Sequence, residues 1–155
     1  GPRLLGTGGA LRKALPMLGE AFFVLNGDSY LRCSLAQIES AFHASRRPAL
    51  MTVLRNEQRW DRSNVVFRDG TVTEYDKRSP RADMLHIDFG LSVLDRGVFD
   101  ACPADEAIDL ADMFRDLSLC GRLAGYEVHE RFYEIGSGRG LRETEAFLDC
   151  RAGAA

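Results

Sequence analysis

The chain has 155 residues, with 20 Lys and Arg against 23 Asp and Glu, so its formal net charge is −3. With 45% hydrophobic and 28% charged residues it reads as one globular domain and not as a disordered chain, which would be poorer in apolar residues. The acidic balance argues against a nucleic-acid binder, no apolar run is long enough for a membrane span, and Gly1-Pro2-Arg3 does not open a signal peptide.

In chain order, Gly8 to Leu15 reads as the start of a helix, with Thr7 as its N-cap and Pro16 and Gly19 marking the exit. Ala21-Phe22-Phe23-Val24-Leu25 is a short apolar run of the kind that forms a buried strand, and Asn26-Gly27-Asp28-Ser29 after it are turn residues. Leu35, Ile38, Ala41 and Phe42 recur at helical spacing, which predicts a helix from Ser34, its cap, to Ser45. Ala49 to Leu54 is a second strand. Val65-Val66-Phe67 and Thr71 to Tyr75 flank Asp69-Gly70 as a hairpin.

Lys77 to Met84 reads as an exposed loop, and 101–108 as a second soft stretch. Leu85 to Leu94 is a strand interrupted by Gly90, and a glycine inside a strand marks a close approach by a ligand or by another strand. A helix follows from Asp109 to Cys120, ended by Gly121. Gly125 to Val128 and Phe132 to Ile135 are short strands, and Leu141 to Cys150 is a closing helix. Helices alternating with strands around a central hairpin predict an α/β sandwich on a mostly parallel mixed sheet.

Four features can carry chemistry. Asp28 sits where a strand should end, and in open α/β sheets ligands bind beyond the carboxyl ends of strands. A carboxylate there can hold Mg²⁺ or simply stabilise a turn. Gly6-Thr7-Gly8-Gly9 can bring backbone amides close to an anion or a flat ring, or form a tight turn; it lacks the Lys-Ser/Thr ending of a P-loop. Lys77, after a strand in Tyr75-Asp76-Lys77, can pair with a phosphate or end a solvated hairpin. Glu134 lies in the apolar strand Tyr133-Glu134-Ile135, where a carboxylate needs a partner or a metal, and it pairs naturally with Asp28 if the two strands are neighbours.

The remaining candidates read blandly. Cys33, Cys102, Cys120 and Cys150 form no CxxC pair and read as reduced thiols of a cytoplasmic protein. His43 and His129 have no triad context; His86 lies among residues that resemble a site, and Trp60 reads as a lid or core residue.

Taken together and in order, these segments resemble the sugar-1-phosphate nucleotidyltransferases, which join a nucleoside triphosphate to a sugar 1-phosphate and release pyrophosphate. Leu5-Gly6-Thr7-Gly8-Gly9-Ala10-Leu11 is similar to the family's nucleobase-contacting loop, and Val24-Leu25-Asn26-Gly27-Asp28 to its metal-binding strand end. Tyr75-Asp76-Lys77 stands in the place of a Glu-Lys-Pro motif, Ile87-Asp88-Phe89-Gly90-Leu91 of an Asn-Ala-Gly motif, and Tyr133-Glu134-Ile135-Gly136-Ser137 of an Asp-Ile-Gly-Thr motif. The resemblance runs from Leu4 to about Leu148 and is nearest to the mannose- and heptose-1-phosphate guanylyltransferases.

The resemblance implies a Rossmann-like nucleotidyltransferase sandwich over 1–155 that is Mg²⁺-dependent. It implies Asp28, Lys77 and Glu134 as catalytic residues, with Asp28 and Glu134 as metal ligands. It implies Gly6, Thr7, Gly8, Gly9, Asn26 and Gly27 at the nucleotide, and Asn64, Asp88 and Gly90 at the sugar. The implied partners are a nucleoside triphosphate and a sugar 1-phosphate, with no nucleic acid or membrane, and with a homo-oligomer or complementing chain left open.

Three departures stand out. The family's N-terminal signature, a Gly-rich turn with an Arg and a later Pro-Lys that includes the first strand, is not found, so the domain reads as N-terminally truncated. Glu134 stands where Asp is usual and reaches further, and Asp88 stands for Asn, so when ionised it only accepts hydrogen bonds. Two other readings compete: a non-catalytic fragment or partner subunit with an exposed sheet edge, and an aspartate-nucleophile phosphatase, which Tyr30 disfavours because a second Asp would be expected there.

Overall fold

The computed structural model describes residues 4–102 and 106–152; Gly1 to Arg3 and part of the soft stretch over 101–108 lie outside them. The elements are α1 (Gly6–Ala14), β1 (Ala21–Leu25), β2 (Ser29–Tyr30), α2 (Leu35–Ser45), β3 (Ala49–Arg55), β4 (Val65–Arg68), β5 (Thr71–Tyr75), β6 (His86–Asp95), α3 (Leu110–Leu119), β7 (Leu123–Val128), β8 (Tyr133–Glu134) and α4 (Gly138–Ala152).

A six-stranded sheet runs in the order β1-β6-β3-β7-β5-β4, and β2 and β8 form a second, two-stranded ladder. β1, β3 and β7 share one direction, as crossovers through helices require. The α/β sandwich is as expected, but the strand directions differ from a mostly parallel sheet. β6 runs reversed between β1 and β3, so both of its long ladders are antiparallel and only β3–β7 is parallel. The cause is the β4–β5 hairpin, an excursion after which the chain re-enters the sheet without the helix that would restore its direction.

Helices cover both faces. On one, Leu11 of α1 and Leu110, Phe114 and Leu117 of α3 pack on Phe22, Met51, Val53, Leu94 and Leu123. On the other, Ile38 and Phe42 of α2 pack on Leu50, Leu91, Val93 and Ala124. Those among them that are fully buried each contribute about 1.5–3 kcal/mol. Ser34 caps α2 as expected, its hydroxyl accepting the Gln37 N–H at 3.4 Å.

The capping expected of Thr7 is corrected. Leu5 stands at the N-cap of α1 and makes no side-chain cap, while the Thr7 hydroxyl accepts the Leu110 N–H at 3.0 Å. Thr7 therefore satisfies an orphan donor of α3 and ties the two helices together. α4 begins three residues before Leu141, because Ser137 accepts the Gly140 N–H at 3.0 Å.

Candidate active site

The C-terminal ends of β1, β3 and β7 and the loops beyond them form two clefts that share Asn26. The first, of about 550 Å³, is lined by Asp28, Trp60, Arg131, Glu134 and Arg139 among others. The second, of about 520 Å³, is lined by Thr7, Asn26, Gly27, Tyr75, Lys77, Asp88 and Gly90. This is the end of the sheet at which open α/β folds bind ligands.

Asp28 and Glu134 meet through the small ladder. Ser29 stands opposite Glu134, and the Ile135 N–H donates to the Asp28 carbonyl at 2.9 Å. The two carboxylates do come close, but not through the strands the sequence suggested: β1 pairs with β6, and it is β2, at Ser29 where turn residues were expected, that lies beside β8. The Asp28 Oδ2 and Glu134 Oε2 oxygens lie 3.0 and 3.1 Å from the place a Cβ on Gly136 would take. Glycine there leaves open a cradle between two carboxylates. Glu134 is held by the Ser137 N–H (3.1 Å) and by the Ser137 hydroxyl (2.6 Å). Each carboxylate oxygen keeps a second lone pair for a cation. Two hard carboxylates in an open cleft suit Mg²⁺, which usually takes one or two carboxylates and fills the rest of its shell with other oxygens.

Gly90 sits at φ +94°, and a Cβ on it would lie 3.0 Å from the Asn26 Nδ2. The close approach at this glycine is made neither by a ligand nor by a strand but by the turn residue Asn26, whose N–H also donates to the Gly90 carbonyl at 3.0 Å. Asp88 accepts the Gly90 N–H at 2.9 Å, and its own N–H donates to the Asn64 Oδ1 at 3.0 Å. Asn64, Asp88 and Gly90 are therefore one hydrogen-bonded group; Asp88 and Gly90 line the second cleft and Asn64 stands behind them. Burial raises the Asp88 pKa, partly offset by the Gly90 N–H and the Lys77 charge.

Lys77 is presented by a tight turn. The Asp76 carboxylate accepts the Arg78 and Ser79 N–H groups at 2.9 and 2.8 Å, and those bonds, with Arg115, hold its pKa low. Tyr75 beside it has its phenol pKa pushed up, by burial first and then by Asp88, Asp109 and Asp76. Lys77 lines the second cleft and Glu134 the first, so these two stand on opposite sides of the Asn26 turn.

The Gly-rich opening is used differently from a free amide cradle. The Gly8 and Gly9 N–H groups both donate to the Ile108 carbonyl, at 2.8 and 3.2 Å. A Cβ on Gly6, at φ +72°, would run into that same carbonyl. The glycines thus dock α1 against the segment leading into α3, and of the four residues Thr7 faces the cleft.

Several residues of the site were not singled out by sequence reasoning. Asn56, fully buried, donates to the Asp61 carbonyl (2.6 Å) and the Ser63 hydroxyl (3.0 Å) and accepts the Trp60 N–H (3.2 Å). It organises the loop that carries Trp60 into the first cleft. The Arg131 guanidinium lies over Trp60 and Tyr133, 5.3 and 4.5 Å from the ring centroids, and pairs with Glu143 at 2.6 Å. Trp60 is both anchor and cleft wall, since its other contacts are with the cluster of Leu54, Ile87, Phe89 and Val128. The available signal was the run of Arg and aromatic residues just before Glu134.

No protein-family model matches the chain. Solved structures do. One assigned as a glucose-1-phosphate thymidylyltransferase from Bacillus anthracis, in complex with a sucrose, superimposes with a TM-score of 0.76 at 16% identity, over 95% of this chain and 62% of that one. An inositol-1-phosphate CTP transferase from T. maritima gives 0.67 at 19% identity over 88% and 58%. A UTP-bound UGPase from Acinetobacter baumannii gives 0.70 at 19% over 92% and 55%. The chain spans about three fifths of the length of these structures. The fold of this chain is the one these nucleotidyltransferase structures share. No helix among the described residues is long and apolar enough to cross a membrane.

Proposed function

We propose that this chain performs nucleotidyl transfer from a nucleoside triphosphate to a sugar 1-phosphate, releasing pyrophosphate and leaving a nucleotide sugar. The observation that carries the reading is the convergence of Asp28 and Glu134 on Gly136, at the ligand-binding end of this fold. Mg²⁺ held by these two carboxylates would neutralise phosphate charge.

The remaining chemistry belongs to the protein's own groups. A sugar phosphate oxygen attacks the α-phosphorus in line; the new P–O bond forms as the bond to the β-phosphate's bridging oxygen breaks. Both reactants are anions, so positioning and charge compensation supply most of the rate. Lys77 provides a cation in the second cleft, and the Asp76 turn fixes its place. Asp88, accepting the Gly90 N–H, offers its remaining lone pairs to sugar hydroxyls. Asn26 lines both clefts and so stands between the carboxylate pair of the first and Lys77 of the second.

The test is to incubate the chain with each common nucleoside triphosphate, a set of sugar 1-phosphates and Mg²⁺, and to measure pyrophosphate and nucleotide sugar. Coupled formation of both products, abolished in Asp28→Ala, supports the reading. Absence of both from the folded chain counts against it.

A second reading, a subunit that works with a complementing chain, is favoured by one observation. Among the described residues the outer edge of β1 pairs with no strand, and Phe23 and Leu25 on it are 38% and 57% exposed. Under that reading transfer appears only once the complementing chain is added.

A further inference from the structure

At the other end of the sheet, three arginines surround one shallow hollow. Arg46 and Arg47 follow α2 and Arg122 precedes β7; with Phe42, His43, Pro48 and Asp95 they line about 340 Å³. Sheet register explains why they meet. Ala49 stands opposite Leu123 in the parallel ladder and opposite Leu94 in the antiparallel one. The residues just before β3, just before β7 and at the end of β6 therefore come together, remote from the two clefts.

The charge here is not balanced. Asp95 is the one carboxylate lining the hollow, and its Oδ1 already accepts the Gly97 N–H at 2.7 Å. Among the described residues none of the three arginines has a carboxylate partner within ion-pair distance, although most other arginines of this acidic chain do. The C-terminus of α2 accounts for roughly half a charge of complementarity, which leaves most of the positive excess unexplained.

The geometry is also partly preset. The half-buried Arg47 donates to the Thr71 hydroxyl at 2.7 Å, a neutral partner that orients the guanidinium without cancelling it. Arg46 adopts φ +53°, a left-handed conformation that glycine or asparagine usually takes at a helix end. Pro48 supplies apolar surface beside these donors, over an edge of the largely buried Phe42.

We propose that this hollow binds the phosphoryl group of a small phosphorylated molecule. Arg47 is the fixed donor, Arg46 and Arg122 close on the remaining oxygens, and the body of the ligand lies against Pro48. Guanidinium groups suit this task because their paired N–H donors match two phosphate oxygens at once. A nucleic-acid backbone would need an extended basic stripe, whereas this cluster is confined to one hollow.

Inorganic phosphate is the probe. It is titrated into the ¹⁵N-labelled chain at low salt in the presence of EDTA, so that metal-dependent binding in the clefts is suppressed. The expected result is saturable shift changes centred on the amides of Arg46, Arg47, Gly121 and Arg122. Arg46→Gln and Arg122→Gln each weaken the affinity at least tenfold, whereas Arg68→Gln and Asp28→Ala leave it unchanged. The spectra themselves report that each variant is folded. Changes that do not saturate, that centre on Lys77, or that persist undiminished in both Arg46→Gln and Arg122→Gln overturn the proposal.

Discussion

The side chains of Asp28 and Glu134, 106 positions apart in the sequence, are brought together by main-chain pairing: Ser29 stands opposite Glu134, and the Ile135 N–H donates to the Asp28 carbonyl at 2.9 Å. The pair is built into the backbone and does not depend on either side chain. Asp28→Asn and Glu134→Gln are therefore expected to fold with little change in melting temperature while losing roughly 10²-fold or more in transfer rate, a magnitude typical of removing one electrostatic contributor to the transition state. Parallel thermal melts and steady-state assays check this; a loss of rate matched by a loss of folded protein would count against it.

Gly136→Ala tests the cradle itself. The added methyl would stand 3.0 and 3.1 Å from the two carboxylate oxygens, so one of them must move. The expected outcome is weakened Mg²⁺ affinity with both carboxylates still present, measured by calorimetric titration of the metal with nucleotide. Unchanged metal affinity would show that no cation lies between them.

Gly90→Ala is expected to be costly in a different way. At φ +94° an L-residue is strained by about 1–3 kcal/mol, and the Cβ also presses on the Asn26 amide. Denaturant unfolding should show that loss, and substrate affinity should fall because Asn26 lines both clefts.

The Asp88 pKa is raised in the fold, chiefly by burial. The native state then binds more protons than the unfolded chain between the ordinary carboxylate range and the raised value, so this residue makes stability fall as pH rises through that window. Asp88→Asn removes the titration while keeping an oxygen for the Gly90 N–H. It should raise the melting temperature near neutral pH and have no such effect at pH values below the ordinary carboxylate range. Equal gains at both ends would contradict the assignment.

Asn56 has no catalytic role in this account, yet its amide satisfies three groups of the loop carrying Trp60. Asn56→Ala should cost roughly 2–3 kcal/mol, since buried polar groups lose their partners. Trp60 fluorescence should shift toward that of an exposed indole.

Much of this was legible in the sequence because it is local. The apolar run of β1 followed by turn residues, the helical spacing of Ile38 and Phe42, and the Asp69-Gly70 hairpin each declare themselves within a few residues, although β1 is a half-exposed edge strand and not the buried strand its apolar run suggested. The pairing of Asp28 with Glu134 could be suspected, because a carboxylate in an apolar strand needs a partner. What could not be read is what distance in sequence conceals. The reversed direction of β6 depends on how the chain returns from a hairpin, and no periodicity encodes that. The occupation of the Gly8 and Gly9 amides depends on the Ile108 carbonyl, a hundred residues away. Thr7 looked like a cap for its own helix and serves another, since the local pattern does not say which orphan N–H lies within reach.

The most direct test of the account is calorimetric titration with GTP, UTP, dTTP, ATP and CTP, each with and without Mg²⁺, on the wild-type chain and on Asp28→Ala. The expected result is binding of one nucleotide that requires Mg²⁺ and disappears in the variant. Absence of binding by the folded wild-type chain, or equal binding with and without the Asp28 carboxylate, would contradict it.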